Sequence, residues 1–193
     1  MNNRGTLLFK MDEAFGAGGV SARMSQWVGE LYREHKDRVY SFIRGMVGDS
    51  HAAEDLTQET FARAVAAAEG FEARALPSTW VFAIARNLAL NYLEAAGKRR
   101  HVGADMLQDR AARDCRPEVK AERDETAGEI REAVRALSAE HREVFLLKVV
   151  EGLTYREIAQ VLGCPTGTAQ SRFFHAVREL RKRLSAQGAD HGL

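Results

Sequence analysis

A chain of 193 residues with 45% hydrophobic and 28% charged residues is long enough for one medium domain or two small ones, and its composition excludes the disordered and fibrous classes. A formal net charge of +1 excludes a protein that simply coats nucleic acid, but it allows basic patches offset by acidic faces, as in a bridge between DNA and a second protein. The two cysteines, Cys115 and Cys164, are far apart and form no C-x-x-C pair, so neither a zinc site nor a disulfide framework is expected and a reducing cytosol is the default.

Residues 1–24 read as a disordered lead. Gly16-Ala17-Gly18-Gly19 carries no period, Met11 and Met24 offer alternative starts, and Leu7-Leu8-Phe9 is too short an apolar core for a secretory signal. No apolar run is long enough to span a membrane. Residues 25–100 read as helical. Leu31, Val39, Phe42, Ile43 and Met46 fall on one helical stripe with Tyr32 and His35 near it, and Gly48-Asp49-Ser50 breaks it. A second helix carries Ala53, Leu56, Thr60, Phe61 and Ala64. After Gly70 and Pro77, Ser78 or Thr79 is suited to cap a third, which carries Val81, Ile84, Ala85, Leu88 and Tyr92 and ends near Gly97 in the basic run Lys98-Arg99-Arg100.

Residues 101–127, rich in Ala, Arg, Asp and Glu with Pro117, read as a flexible linker and the best domain boundary. Residues 128–185 are helical again, and 186–193 form a tail. Ile130, Val134 and Leu137 make a stripe, Ser138 caps a helix through Val144, Phe145, Leu147 and Lys148, and Gly152 stops it. Thr154-Tyr155-Arg156-Glu157 is a capping box opening a short helix with Ile158, Ala159 and Leu162. Gly163-Cys164-Pro165 is a turn, and a longer helix begins near Thr166. No strand signal and no internal repeat is present, so the expected fold is all-α, with two small helical domains.

Leu153–Arg178 has helix-turn-helix spacing. The second helix presents Thr168, Gln170, Ser171, Arg172 and His175 early, where side chains of such a helix reach base edges in the major groove. Arg178, Arg181, Lys182 and Arg183 form a basic end suited to phosphates. Spacing alone leaves an ordinary helical hairpin with a solvated charged face equally open, because the motif is short.

At these residues the chain resembles the extracytoplasmic-function sigma factors. Leu137–Leu184 is similar to their region four: Arg142-Glu143-Val144-Phe145, Gly152-Leu153-Thr154-Tyr155, Glu157-Ile158-Ala159 and Gly167-Thr168-Ala169-Gln170-Ser171-Arg172 follow the family pattern. Asp55-Leu56-Thr57-Gln58-Glu59-Thr60-Phe61 resembles the core-binding signature of region two, and Trp80–Ala89 its melting and recognition helix. The resemblance spans about residues 25–185 and leaves no room for a region-three domain.

It implies a non-enzymatic subunit without cofactor or metal. Asp55, Gln58 and Glu59 would dock on the clamp helices of the polymerase largest subunit, and region four on the flap. Asn87 would line the pocket for a flipped base of the minus-ten element, with Trp80 and Phe82 nearby and Arg86, Lys98, Arg99 and Arg100 on phosphate. Thr168, Gln170, Ser171, Arg172, Phe174, His175 and Arg178 would read the minus-thirty-five duplex. The chain departs from the family at Gln170 (often Lys or Arg), His175 (often Arg) and Ala169 (commonly Val), which shifts its expected base preference and phosphate anchoring. An anti-sigma factor is the expected restraint, and the cytoplasm the expected location.

No G-x-x-x-x-G-K-[ST], G-x-S-x-G or H-E-x-x-H occurs, and His35, His51, His101, His141, His175 and His191 are scattered, so an enzyme is not expected. Cys164, in the helix-turn-helix turn, and Cys115, beside Arg113 and Arg116, read as incidental rather than as redox switches. Two other readings are a free-standing helix-turn-helix regulator and a sigma-like decoy that sequesters an anti-sigma factor. The region-two block weighs against the first. The basic run and the Arg172 helix weigh against the second.

Overall fold

A computed structural model of the chain describes the backbone of residues 20–68, 76–102 and 121–190, and the side chains of 27–68, 76–98 and 127–185. All described regular structure is helical. Helix α1 (Val20–Val47) buries Leu31, Val39, Phe42, Ile43 and Met46 completely. Trp27 and Val28 are buried too and continue the same stripe toward the N-terminus, which is why the helix starts inside the segment expected to be disordered. The rest of that lead lies outside the described residues. Gly48 at φ +82° takes a left-handed conformation that suits glycine, and Asp49 caps α2 (Ser50–Ala67) by accepting from the Ala52 N–H at 3.0 Å. On α2, Thr57 and Thr60 can be buried because their hydroxyls donate to the carbonyls of Ala53 (2.6 Å) and Leu56 (2.7 Å).

Helix α3 runs from Pro77 to Val102. The expected caps Ser78 and Thr79 lie inside its first turn instead. Pro77 takes the first helical position, where its missing N–H costs nothing, and the Trp80 N–H bonds back to the Leu76 carbonyl at 3.1 Å. Nor does α3 stop near Gly97. The Glu94–Lys98 ion pair of 2.7 Å spans that glycine on the helix surface. Phe42 and Phe82 meet edge to face at 5.7 Å, locking α1 to α3.

In the C-terminal half, α4 (Ala121–Arg135) begins within the segment read as a linker. Ser138 caps α5 (Ala139–Phe145), accepting from the His141 N–H. The chain then widens into a π-helical turn, Leu146–Val150, closed by Glu151 N–H to Leu146 O at 3.1 Å. The expected capping box at Thr154 and Glu157 is present in both directions and opens α6 (Tyr155–Leu162), which ends at Gly163 with φ +64°. Helix α7 runs from Thr166 to Asp190. Val134 and Leu137 are buried as expected, but Ile130 is 44% exposed. The buried face of α4 runs through Ala133 and Val134 and continues to Leu137 just beyond the helix, which turns Ile130 toward an open apolar groove shared with Phe145, Val177, Leu180 and Leu184.

The two halves are packed together: one continuous buried apolar cluster runs from Trp27 to Leu180. Helix α3 lies against α6, and α1 against the π-turn and α4. A Cβ on Gly45 would come within 2.8 Å of both Leu146 methyl carbons, so glycine there sets how closely α1 approaches the second half.

His35, on the inner side of α1, is 4% exposed and neither ring nitrogen has a hydrogen-bond partner. Burial, assisted by Arg38 and opposed by Glu34, lowers its pKa. A buried base with a lowered folded pKa stabilises fully above its unfolded value of about 6.5 and loses that contribution as pH falls below it, because the unfolded chain then binds the proton first. His35→Leu is therefore expected to resist acid better than the parent. The gap in urea midpoint between the two proteins should widen as pH falls from about 7.5 to about 5.5, and a constant gap would exclude His35 as the source.

Candidate nucleic-acid interface

The helix-turn-helix forms from α6, Gly163-Cys164-Pro165 and α7. Thr168 and Ala169 donate their N–H groups to the Pro165 carbonyl at 2.9 and 3.2 Å, starting α7 at the turn. Ala169, Ala176 and Leu180 face inward and are buried. Gln170, Ser171, Phe174, His175 and Arg178 are exposed along one side, with Thr168 half-buried. Phe174 is 65% exposed, unusual for so large an apolar ring on a face otherwise polar. The full burial of Ala169 explains its small side chain without any contact to DNA. Arg156 joins Gly163, Cys164, Pro165 and Thr166 around an open notch at the start of α7, a setting suited to a phosphate oxygen. Sequence reading used Arg156 only as part of the capping box. His175 stacks on His141 with ring centres 6.2 Å apart, and His141 Nδ1 lies 3.4 Å from Glu179. The Arg183 guanidinium beside Glu179 (2.7 Å) holds that carboxyl below its ordinary range.

On the first half, Asp55, Gln58 and Glu59 are exposed on α2 at positions that share one helix face, and Glu59 also pairs with Arg63 at 2.7 Å. On α3, Asn87 is exposed. Trp80 is half-buried and stacks on Trp27 at 6.1 Å, and Phe82 is wholly buried, so Phe82 serves the core and offers no face to a base. Lys98 is exposed and engaged by Glu94. The side chains of Arg99 and Arg100, like Cys115, lie outside the described residues.

Arg86 and Arg172, expected on different promoter elements, converge on one carboxylate. Glu143 of α5 has essentially no exposed surface. Arg86 of α3 grips it with two hydrogen bonds, Nε to Oε2 at 2.6 Å and Nη2 to Oε1 at 3.2 Å. Arg172 of α7 approaches the same carboxylate at 3.7 Å and pairs with Glu140 at 3.1 Å. Burial pushes the Glu143 carboxyl up, and the two guanidinium groups oppose that push. A second buried acid, Glu151, follows the π-turn. It accepts from Arg38 Nε at 2.9 Å, and its backbone carbonyl accepts from Arg38 Nη2 at 2.7 Å. Its carboxyl is likewise raised by burial and lowered by Arg38. Arginines of the second half also cap the end of α1: Arg142 donates to Met46 O at 2.7 Å and Arg135 to Gly48 O at 3.2 Å.

Sequence reading placed Glu143 in a family block without giving it a role, and passed over Glu151 and Arg38. The signal was present: Glu143 and Glu151 bracket the run Val144–Val150, apolar except for Lys148, and an acid at a core position must find a cation.

Comparison with protein-family models matches residues 31–99 to "Sigma-70 region 2" and residues 127–180 to "Sigma-70, region 4". The chain is 34% identical over 180 residues to "ECF RNA polymerase sigma factor SigE" of Mycolicibacterium smegmatis, covering 91% of this chain and 68% of that one. It is 33% identical to SigL of Mycobacterium tuberculosis, covering 88% and 96% of the two chains. Among solved structures, the sigma factor RpoE in complex with the anti-sigma factor NepR from Bartonella quintana aligns with a TM-score of 0.64 at 24% identity, over 81% of this chain and 96% of that one. CnrH in complex with the cytosolic domain of CnrY aligns at 0.66 and 22% identity, over 96% and 99%. At such identities these two establish the fold.

Removing one partner of a buried pair leaves an uncompensated charge, whereas an exposed pair contributes little. Arg86→Ala should therefore lower unfolding stability by about 3 kcal/mol, and Arg63→Ala, at the exposed pair with Glu59, by less than about 0.5 kcal/mol. Urea denaturation of the two variants checks the contrast.

Proposed function

The chain belongs to the extracytoplasmic-function sigma factors, a non-enzymatic family, and carries sigma-70 regions 2 and 4; from that membership we propose how its residues direct RNA polymerase to promoters. The region-two domain, residues 25–100, docks on the clamp helices of the polymerase largest subunit through Asp55, Gln58 and Glu59. Their exposure on one face of α2 supports this, because acidic and amide groups on an open helix face can pair with cations of a partner helix. The same domain opens the minus-ten element. Asn87 receives a flipped base, Arg86, Lys98, Arg99 and Arg100 hold phosphate, and Trp80 buttresses the recognition helix.

The region-four domain, residues 128–185, meets the flap and reads the minus-thirty-five duplex with Thr168, Gln170, Ser171, Arg172, Phe174, His175 and Arg178. The observation that carries this reading is the sorting of α7, which buries Ala169, Ala176 and Leu180 while leaving the polar and cationic side chains of the opposite face in solvent. An anti-sigma factor restrains the protein until its signal arrives, and the protein works in the cytoplasm. Among the described residues no helix is long and apolar enough to cross a membrane.

Run-off transcription with core polymerase on a promoter library tests the proposal. The protein should generate a discrete set of new start sites. These should be lost on Asn87→Ala with core binding intact, and lost together with core binding on Asp55→Lys. New transcripts with neither variant impaired would reject the residue assignment. Core binding without transcripts would favour a decoy, and specific duplex binding without core binding a free-standing regulator. On a selected promoter, Gln170→Ala should relax discrimination at one base pair by about 1–3 kcal/mol and leave the other positions unchanged.

A further inference from the structure

His175 stands on the exposed face of α7, at a position where the family often has arginine. The exchange replaces a fixed charge by the side chain whose charge changes between about pH 5 and about pH 8. A neutral imidazole offers a duplex one N–H, whereas an imidazolium offers two and a positive charge. The contact is strong only when the ring carries its extra proton.

Two other rings hold that imidazole. Phe174 meets it edge to face at 5.9 Å, and His141 of α5 stacks on it with ring centres 6.2 Å apart and planes 23° from parallel. His141 Nδ1 lies 3.4 Å from Oε2 of Glu179, one turn beyond His175 on α7. The Ser138 cap fixes the His141 backbone from the other side, accepting its N–H at 3.3 Å. A carboxylate beside His141 attracts a proton there, and two stacked imidazolium rings repel each other.

The charged neighbours do not relieve that repulsion. Glu179 also accepts from Arg183 at 2.7 Å, and Glu140, next to His141, pairs with Arg172 at 3.1 Å. Each carboxylate thus already serves a guanidinium. Arg178 adds positive charge on the exposed side. Within α5, Arg142 turns to the Met46 carbonyl and Glu143 to Arg86. On α4 and α6, which also pack on α7, Arg135 pairs with Glu132 and Glu157 closes the capping box with Thr154. The pair therefore favours one extra proton over two.

We propose that His141 and His175 share one proton and that its position sets how tightly α7 holds the minus-thirty-five duplex, given the assignment of α7 to that duplex, on which this rests. Without DNA the proton sits on His141 against Glu179. A DNA acceptor, either a phosphate oxygen or the N7 of a guanine, favours the proton on His175 instead. His141 then gives up its Nε2 proton, keeps its Nδ1–H toward Glu179 and stays stacked on the cation. At higher pH both rings start neutral, so binding must take a proton from solvent and weakens as pH rises.

The test uses reconstituted holoenzyme on a promoter obtained from the run-off selection, with a scrambled minus-thirty-five element as control. Dividing the parent's affinity by that of His175→Arg at each pH cancels the pH dependence of the polymerase. That ratio should fall about tenfold between about pH 6 and about pH 8. His141→Gln keeps a donor for Glu179 and cannot take the proton. It should bind about twofold or more tighter than the parent near about pH 6 and converge with it near about pH 8, where His141 is neutral in the parent too. A merely structural role for His141 would shift affinity alike at every pH. A constant parent-to-His175→Arg ratio would overturn the proposal, and so would a His141→Gln profile that parallels or superposes on the parent's. A 7-deazaguanine element identifies the acceptor: the pH dependence vanishes for N7 and persists for phosphate, and either outcome supports the shared proton. If the holoenzyme does not distinguish the element from its scrambled form at any pH, the minus-thirty-five reading itself fails, whereas selective binding with a constant ratio sinks the histidine pair alone.

Discussion

A carboxylate with almost no exposed surface sits where α3, α5 and α7 meet, and much of the arrangement follows from its need for compensation. Ionised Glu143 in a low-dielectric setting would be costly alone. Arg86 satisfies it through two hydrogen bonds and Arg172 adds a second positive group at slightly longer range. Because Arg86 comes from the first half of the chain and the other two residues from the second, satisfying this one group fixes the relative placement of both halves. Glu151 repeats the solution on the other side of the π-turn, with Arg38 as partner. Such pairs are poor sources of net stability, but losing one partner is costly, since it leaves a buried charge with no counter-charge.

The π-turn is the backbone device that makes both pairs compatible. A regular helix through Leu146–Val150 would set Glu151 at a different angle from Glu143. In the widened turn Leu146 and Leu147 are buried, and Glu151, which follows it, meets Arg38. Gly45 completes the fit, since even a methyl group there would meet Leu146. Local irregularity, a missing side chain and two buried acids thus form one unit. That unit joins a three-helix bundle to a helix-turn-helix without any shared secondary structure.

Much of the architecture was legible in the chain. The stripe through Leu31, Val39, Phe42, Ile43 and Met46 identified the buried face of α1, because helical period and burial are tied by geometry. The Thr154–Glu157 box marked the start of α6, because its two hydrogen bonds are local. Boundaries were less secure for equally physical reasons. Pro77 displaced Ser78 and Thr79 from the cap, α3 passed through Gly97, and Ile130 turned outward because burial on α4 was decided by what packed against it.

The sequence by itself determined the helical class and the exposed polar face of α7, since each depends on periodicity, capping or motif spacing within a short stretch, and the order of the two sigma regions was legible through resemblance to the family. Only the tertiary structure decided that Arg86 and Arg172 share one partner, that Phe82 belongs to the core, and that the two halves close on each other. Those outcomes depend on which charge meets which across 57 residues between Arg86 and Glu143 and 113 between Arg38 and Glu151. Long-range pairing of this kind leaves no period in the chain, only isolated charges whose partners are chosen by the cost of burying them alone.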